Sequence, residues 1–232
     1  MAPVRLRIEL TVVDARDEHV AYTFSVLAAS AVAEPAVSPE ALEARQREMA
    51  AYVGMKGWGQ TDDRGLHPLA RFAVPAGLST RHEAYLEYIA YDVRSLILPL
   101  PAQPVGVGAR WTARQKIFRA IDSSEVRTFE LTAQQAGLNT LEMDFVEEAA
   151  PQWVKGPLDP LIRSQRMEGL SSRGHAKSLV AFSQIVPLTL DFRKDAKSRW
   201  RTSLDGASGK GTYIEDRTDT TVRRLTFSPG GD

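Results

Sequence analysis

Hydrophobic and polar positions alternate strictly at the start of the chain. Val4, Leu6, Ile8 and Leu10 fall on one side of residues 4–13, and Arg5, Arg7, Glu9 and Thr11 on the other. Period two is the signature of a half-buried strand. Asp14 to His19 is a polar turn, and residues 20–30 read as the return strand of a β-hairpin.

Two segments change period. Ser38-Pro39-Glu40 opens a helix over 38–53: serine caps, proline suits the first helical position, and the carboxylate favours the helix dipole. Ala41, Leu42, Met49, Tyr52 and Val53 supply its apolar face, and Gly54 stops it. Residues 55–75 read as a second hairpin, with the turn at Asp62-Asp63-Arg64-Gly65 and the second strand at 66–74. Residues 80–97 form the strongest helix. Thr80 and Glu83 make a capping box. Tyr85, Leu86, Ile89, Val93, Leu96 and Ile97 recur at helical spacing, and Pro99-Leu100-Pro101 ends the helix.

After Pro104 the pattern is β to the end. The strands expected are 109–119, 125–132, 139–147, 166–184, 188–193, 198–203, 211–216 and 220–227, with 151–160 a loop. No β-α-β alternation occurs, which argues against a parallel sheet. The expectation is a mainly β single domain over 1–232: a large antiparallel open sheet or half-barrel whose concave face is covered by the two helices.

Composition narrows the chemistry. With 43% hydrophobic and 25% charged residues the chain can bury a core. Its 29 basic residues balance 29 acidic ones, which argues against a dedicated nucleic-acid partner. There is no cysteine, so disulfides, thiolate catalysis and cysteine zinc sites are out. No apolar run is long enough to span a bilayer, so membrane contact is expected to be peripheral at most. Met1-Ala2-Pro3 does not read as a signal peptide, and any export signal would lie outside the given chain.

Candidate sites mostly dissolve under their own geometry. His19, His67, His82 and His175 show no metal-ligand spacing. No nucleophile elbow occurs. Gly206 to Thr212 fails the phosphate-loop pattern at Leu204 and Gly211 and reads as a glycine-rich hairpin loop. Gly106-Val107-Gly108 precedes a strand, whereas a dinucleotide fingerprint follows one. Asp62-Asp63 and Glu147-Glu148 are neighbours that point to opposite strand faces, and read as solvated charges. Phe192 to Arg201 carries five basic residues and Trp200; it reads either as a contact for anionic headgroups or, preferably, as the wet face of an edge strand. No catalytic, cofactor or metal residue is assigned. What remains is a hydrophobic surface. Tyr85, Leu86, Ile89, Val93 and Leu96 on the second helix, with Trp111, form a candidate lining for an acyl chain or other hydrophobic ligand where sheet and lid do not fully close.

The segment Leu98 to Trp111 (LPLPAQPVGVGARW), followed by Thr128 to Leu131 (TFEL), resembles a group of bacterial envelope proteins, lipoproteins of unknown function. Gly174 within a long strand and the apolar stretch before Pro187 fit the resemblance. That group is similar in layout to periplasmic lipoprotein carriers of the LolA/LolB type, whose incomplete barrel is plugged by helices. The resemblance implies a non-enzymatic protein of the periplasm or outer membrane that binds a lipid. The alternative is a structural module with a self-filled core that meets an envelope protein partner. A hydrolase with a dispersed site is a third, weaker reading.

Overall fold

Alternation at the chain start becomes β1 (Val4–Arg16), which returns through Glu18 at φ 60° into β2 (His19–Ala31). The structure is a computed structural model describing residues 4–16, 18–35, 37–66, 68–118, 120–155, 162–184, 186–206 and 209–227. It is mainly β with two helices, arranged as two compact units, Met1–Leu100 and Pro101–Asp232. Each unit has its own open antiparallel sheet, of four and seven strands.

In the first unit, Val20, Tyr22, Phe24 and Val26 of β2 are buried on one face. β3 (Lys56–Asp62) sets Gly59 opposite Tyr22 and Gly57 opposite Phe24. A Cβ on Gly57 would lie 2.3 Å from Phe24 Cζ, and one on Gly59 2.3 Å from Tyr22 Cζ. Strand glycines cost stability, but here they let the two rings lie across the neighbouring strand. The Tyr22 hydroxyl donates to the Leu69 carbonyl at 2.8 Å, tying in β4 (Leu69–Phe72). The turn before β4 forms at Asp62, whose Oδ1 accepts from the Arg64 and Leu66 amides, with Gly65 at φ 71°.

Both helices pack on this smaller sheet, α1 (Pro39–Ala50) on β2 and α2 (Thr80–Leu96) on β4. Ser38 caps α1 as expected, its Oγ accepting from the Ala41 amide. The cap of α2 is Ser79, one residue earlier than the Thr80 expected. Ser79 is extended, at φ −69° and ψ 149°, and its side chain accepts from the His82 amide, while Thr80 is already helical. Met49, Tyr52, Leu86 and Ile89 meet Val26 and Ala29 in a single buried cluster.

The second unit is an up-and-down meander. β5 (Arg110–Phe118), β6 (Asp122–Gln135), β7 (Leu138–Ala149), β9 (Ile162–Val180), β10 (Thr189–Gly206) and β11 (Gly209–Thr226) lie side by side in that order; β8 (Gln152–Trp153) adds to β9. The β6–β7 turn is Ala136-Gly137, between the expected strands 125–132 and 139–147, with both residues at positive φ (51° and 80°), which matches the strand twist in two-residue hairpins. One face is enclosed: Phe129, Leu131, Leu141, Met143 and Phe145 are buried while their strand neighbours are not.

Several expectations shift. The single broad sheet is two sheets, and both helices belong to the smaller. Segments 188–193 and 198–203 join into β10, and 211–216 and 220–227 into β11. The expected breaks fell on charged runs, yet Lys194 to Lys197 keep full register with both neighbours. A ladder is backbone chemistry and tolerates charges on an open face. The expected 166–184 strand runs 162–180 instead. Of the expected 151–160 loop, Gln152 and Trp153 form β8, and 156–160 lie outside the described residues.

Candidate functional site

The candidate ligand lining splits between the units. Leu86, Ile89 and Val93 are 1%, 2% and 1% exposed and point into protein. Tyr85 is half-buried against the same cluster, its ring 4.8 Å from Tyr52 and beneath the Arg45 guanidinium at 5.0 Å. Leu96 is half-buried at the last residue of α2. Trp111 belongs to the other unit, on β5, where its ring stacks on Phe129 at 5.3 Å. The helix thus assembles five of the six residues, and three of those are spent on packing.

The larger sheet holds a cluster that the sequence reading missed. Glu125 on β6 faces Glu147 on β7 in register, and the two are 3% and 0% exposed. Like charges opposed across a ladder repel. Each carboxylate is answered by fixed donors. Arg127 Nε donates to Glu125 Oε1 at 2.5 Å, and Gln115 Nε2 donates to the same oxygen at 2.7 Å. Ser123 Oγ donates to Glu147 Oε1 at 2.5 Å, and Lys194 Nζ to Glu147 Oε2. On β9, Ser172 stands in register with Glu147, and its buried Oγ has no hydrogen-bond partner among the described residues.

Two acids and two cations cancel, so the enclosed face holds charge without net charge. Burying ions costs several kcal/mol each, and good geometry returns that cost. The layer therefore fixes the register of β5, β6, β7 and β10: a slip of one residue would turn a charge into the apolar row. The signal was legible. Glu125 and Arg127 share parity with Phe129 and Leu131, so all four face one way. Glu147 and Glu148 do point to opposite faces as read, but only Glu148 is solvated.

The basic run on β10 divides by parity. Arg193, Lys197, Arg199 and Arg201 are exposed on one face, and Lys194 lies on the other. Arg199 donates to Asp216 at 2.7 Å and holds that carboxyl below its ordinary value. Arg201 lies 2.9 Å from Glu168, and Arg193 3.5 Å from Asp195. Trp200 Nε1 bonds Ser198 Oγ, and the Arg217 guanidinium sits 5.5 Å from its ring. Arg199–Asp216 and Arg201–Glu168 are cross-strand pairs of a wet sheet face, Arg193–Asp195 lies along β10, and Trp200, Ser198 and Arg217 belong to the opposite face.

The histidines stay apart. His175 contacts Asp144 at 2.9 Å, His82 contacts Ser79, and His67 lies outside the described residues. No group of three or more acidic or histidine side chains could hold a metal among the described residues. Of the Gly206–Thr212 loop, Ala207 and Ser208 lie outside them too. Among the described residues no helix is long and apolar enough to cross a membrane.

The fold and this site define a class only: two open antiparallel sheets, one braced by helices and one by a buried ionic layer. No family model, no curated protein and no solved structure matches the chain.

Proposed function

We propose that this chain is a non-enzymatic structural or interaction module built around self-filled cores. The observation that carries the reading is the burial of Leu86, Ile89 and Val93 to 2% or less. A container needs apolar walls facing a space, and Leu86 and Ile89 instead pack with Val26, Met49 and Tyr52. The charged layer of the larger sheet supports the same reading, since its carboxylates are occupied by the protein's own donors. Setting the module in the bacterial envelope is supported by the resemblance of residues 98–111.

The opposing reading is a carrier of an acyl chain. Native mass spectrometry of the purified chain and titration with a fluorescent fatty acid separate the two. The expected result is an apo mass and no saturable uptake. Stoichiometric lipid that survives repurification would overturn the proposal in favour of the carrier.

A further inference from the structure

β11 is the outer strand of the larger sheet. An outer strand presents unpaired amides and carbonyls to any passing strand, and proteins blunt such edges by shortness, bulges or proline. Of the other described edges, β1 is broken by two register shifts and β4 has only four residues, while β5, nine residues in unbroken register, is half the length of β11. β11 runs 18 residues in unbroken register with β10 and contains no proline. Its Ile214 and Val222 are 59% and 71% exposed, and Val222 is the most exposed large hydrophobic described.

The sequence of β11 is complementary to itself. In an antiparallel pair of identical strands related by a twofold normal to the sheet, one residue must face its own copy, because paired residues share a face. With the axis at Thr218, Arg217 meets Asp219 of the second copy twice, and Asp216 meets Thr220. The exposed Ile214 then lies against Val222, again twice. Moving the axis by one residue sets Asp219 against Asp219 or Arg217 against Arg217, and separates Ile214 from Val222. Like charges directly opposed destabilise a pair, while opposite charges and β-branched pairs stabilise it. The charges that would repel a foreign edge thus favour the Thr218 register over its two neighbours for an identical one.

From this we propose that the edge of β11 is a self-association surface: two copies pair antiparallel about Thr218, joining their sheets into one. This goes beyond the filled-core reading and stands apart from it, because lipid uptake tests the cores and leaves the edge untouched.

The chain has no cysteine, so one introduced thiol reports alone. Under oxidation, Thr218→Cys forms a disulfide-linked dimer of the full chain, since the two Cα atoms lie about 4.5–5.5 Å apart in such a pair, within disulfide reach. Ile214→Cys does not, because its own copy lies eight residues along the strand, about 27 Å away. In sedimentation velocity the wild type is a dimer at concentrations on the order of 100 μM. Val222→Lys, at an exposed position, raises the dissociation constant roughly tenfold or more. A wild type that stays monomeric there overturns the proposal, and capture of some other strand would then be the alternative. It is also overturned if Val222→Lys leaves the constant unchanged, if Thr218→Cys does not cross-link, or if Ile214→Cys links as fast.

Discussion

Substituting Gly174 by alanine tests how the larger sheet is packed. Gly174 lies in β9 opposite Phe145, whose ring crosses it to stack on Phe192 at 4.9 Å and 4°. A Cβ at Gly174 would sit 2.1 Å from Phe145 Cζ and 2.4 Å from the Arg193 carbonyl oxygen. The ring must leave its stack, a loss of about 0.5–1.5 kcal/mol. Overpacking at a site backed by main chain adds about 1–3 kcal/mol. Alanine also restricts the unfolded chain, which returns about 0.4–1 kcal/mol. The net loss is about 2 kcal/mol. Gly169, in the same strand, is the matched control: an added Cβ meets nothing within 4 Å. There only the unfolded-state term remains, and alanine stabilises by about 0.4–1 kcal/mol. Urea unfolding followed by tryptophan fluorescence reads the difference, because Trp111, Trp153 and Trp200 all lie in this unit. Variants within about 0.5 kcal/mol of each other would refute the packing argument.

The ionic layer and the smaller sheet carry two more predictions. Lys194→Met leaves the Glu147 carboxylate, 0% exposed, without its lysine, and costs about 3 kcal/mol in the same urea assay. Adding Glu147→Gln recovers most of that loss; a neutral Lys194→Met would show that the pair does not bind the strands. Burial holds the Tyr22 phenol protonated well above its ordinary value of 10.0. The folded state therefore keeps a proton that the unfolded state releases, so this contribution is fully present below about pH 10 and declines as pH rises above it. In an alkaline spectrophotometric titration of the wild type the Tyr22 phenol ionises in a late step. Tyr22→Phe removes the late step, and an unchanged titration in that variant would contradict it.

Much of the architecture is legible along the chain, because local rules write it. Period two in residues 4–13 and period 3.6 in 85–97 depend on which face each side chain meets, and a face is a local property. The turns at Gly65 and Gly137 follow from glycines, which tolerate positive φ, whereas Ala136 is held at φ 51° by the hairpin. What sequence reading missed is long-range or depends on neighbours. Nothing in Gly57, Gly59 or Gly174 alone says that an aromatic ring from the next strand will lie over it. β10 and β11 run unbroken through Lys194–Lys197 and Arg217–Asp219 because a partner strand holds these charged stretches in register. The buried layer needed register as well: that Glu125 faces Glu147, and that Lys194 reaches it from β10, follows from strand pairing 22 and 47 residues apart.

By itself, then, the sequence determined the β character, both helices, the hairpin turns and the apolar stripe of α2, because these rest on backbone propensity and facing. Tertiary structure alone decided that the stripe is core, that the helices serve the smaller sheet, and that β11 ends the larger one. Those outcomes depend on which surfaces meet, and pairing energies between distant strands are not encoded at any single position.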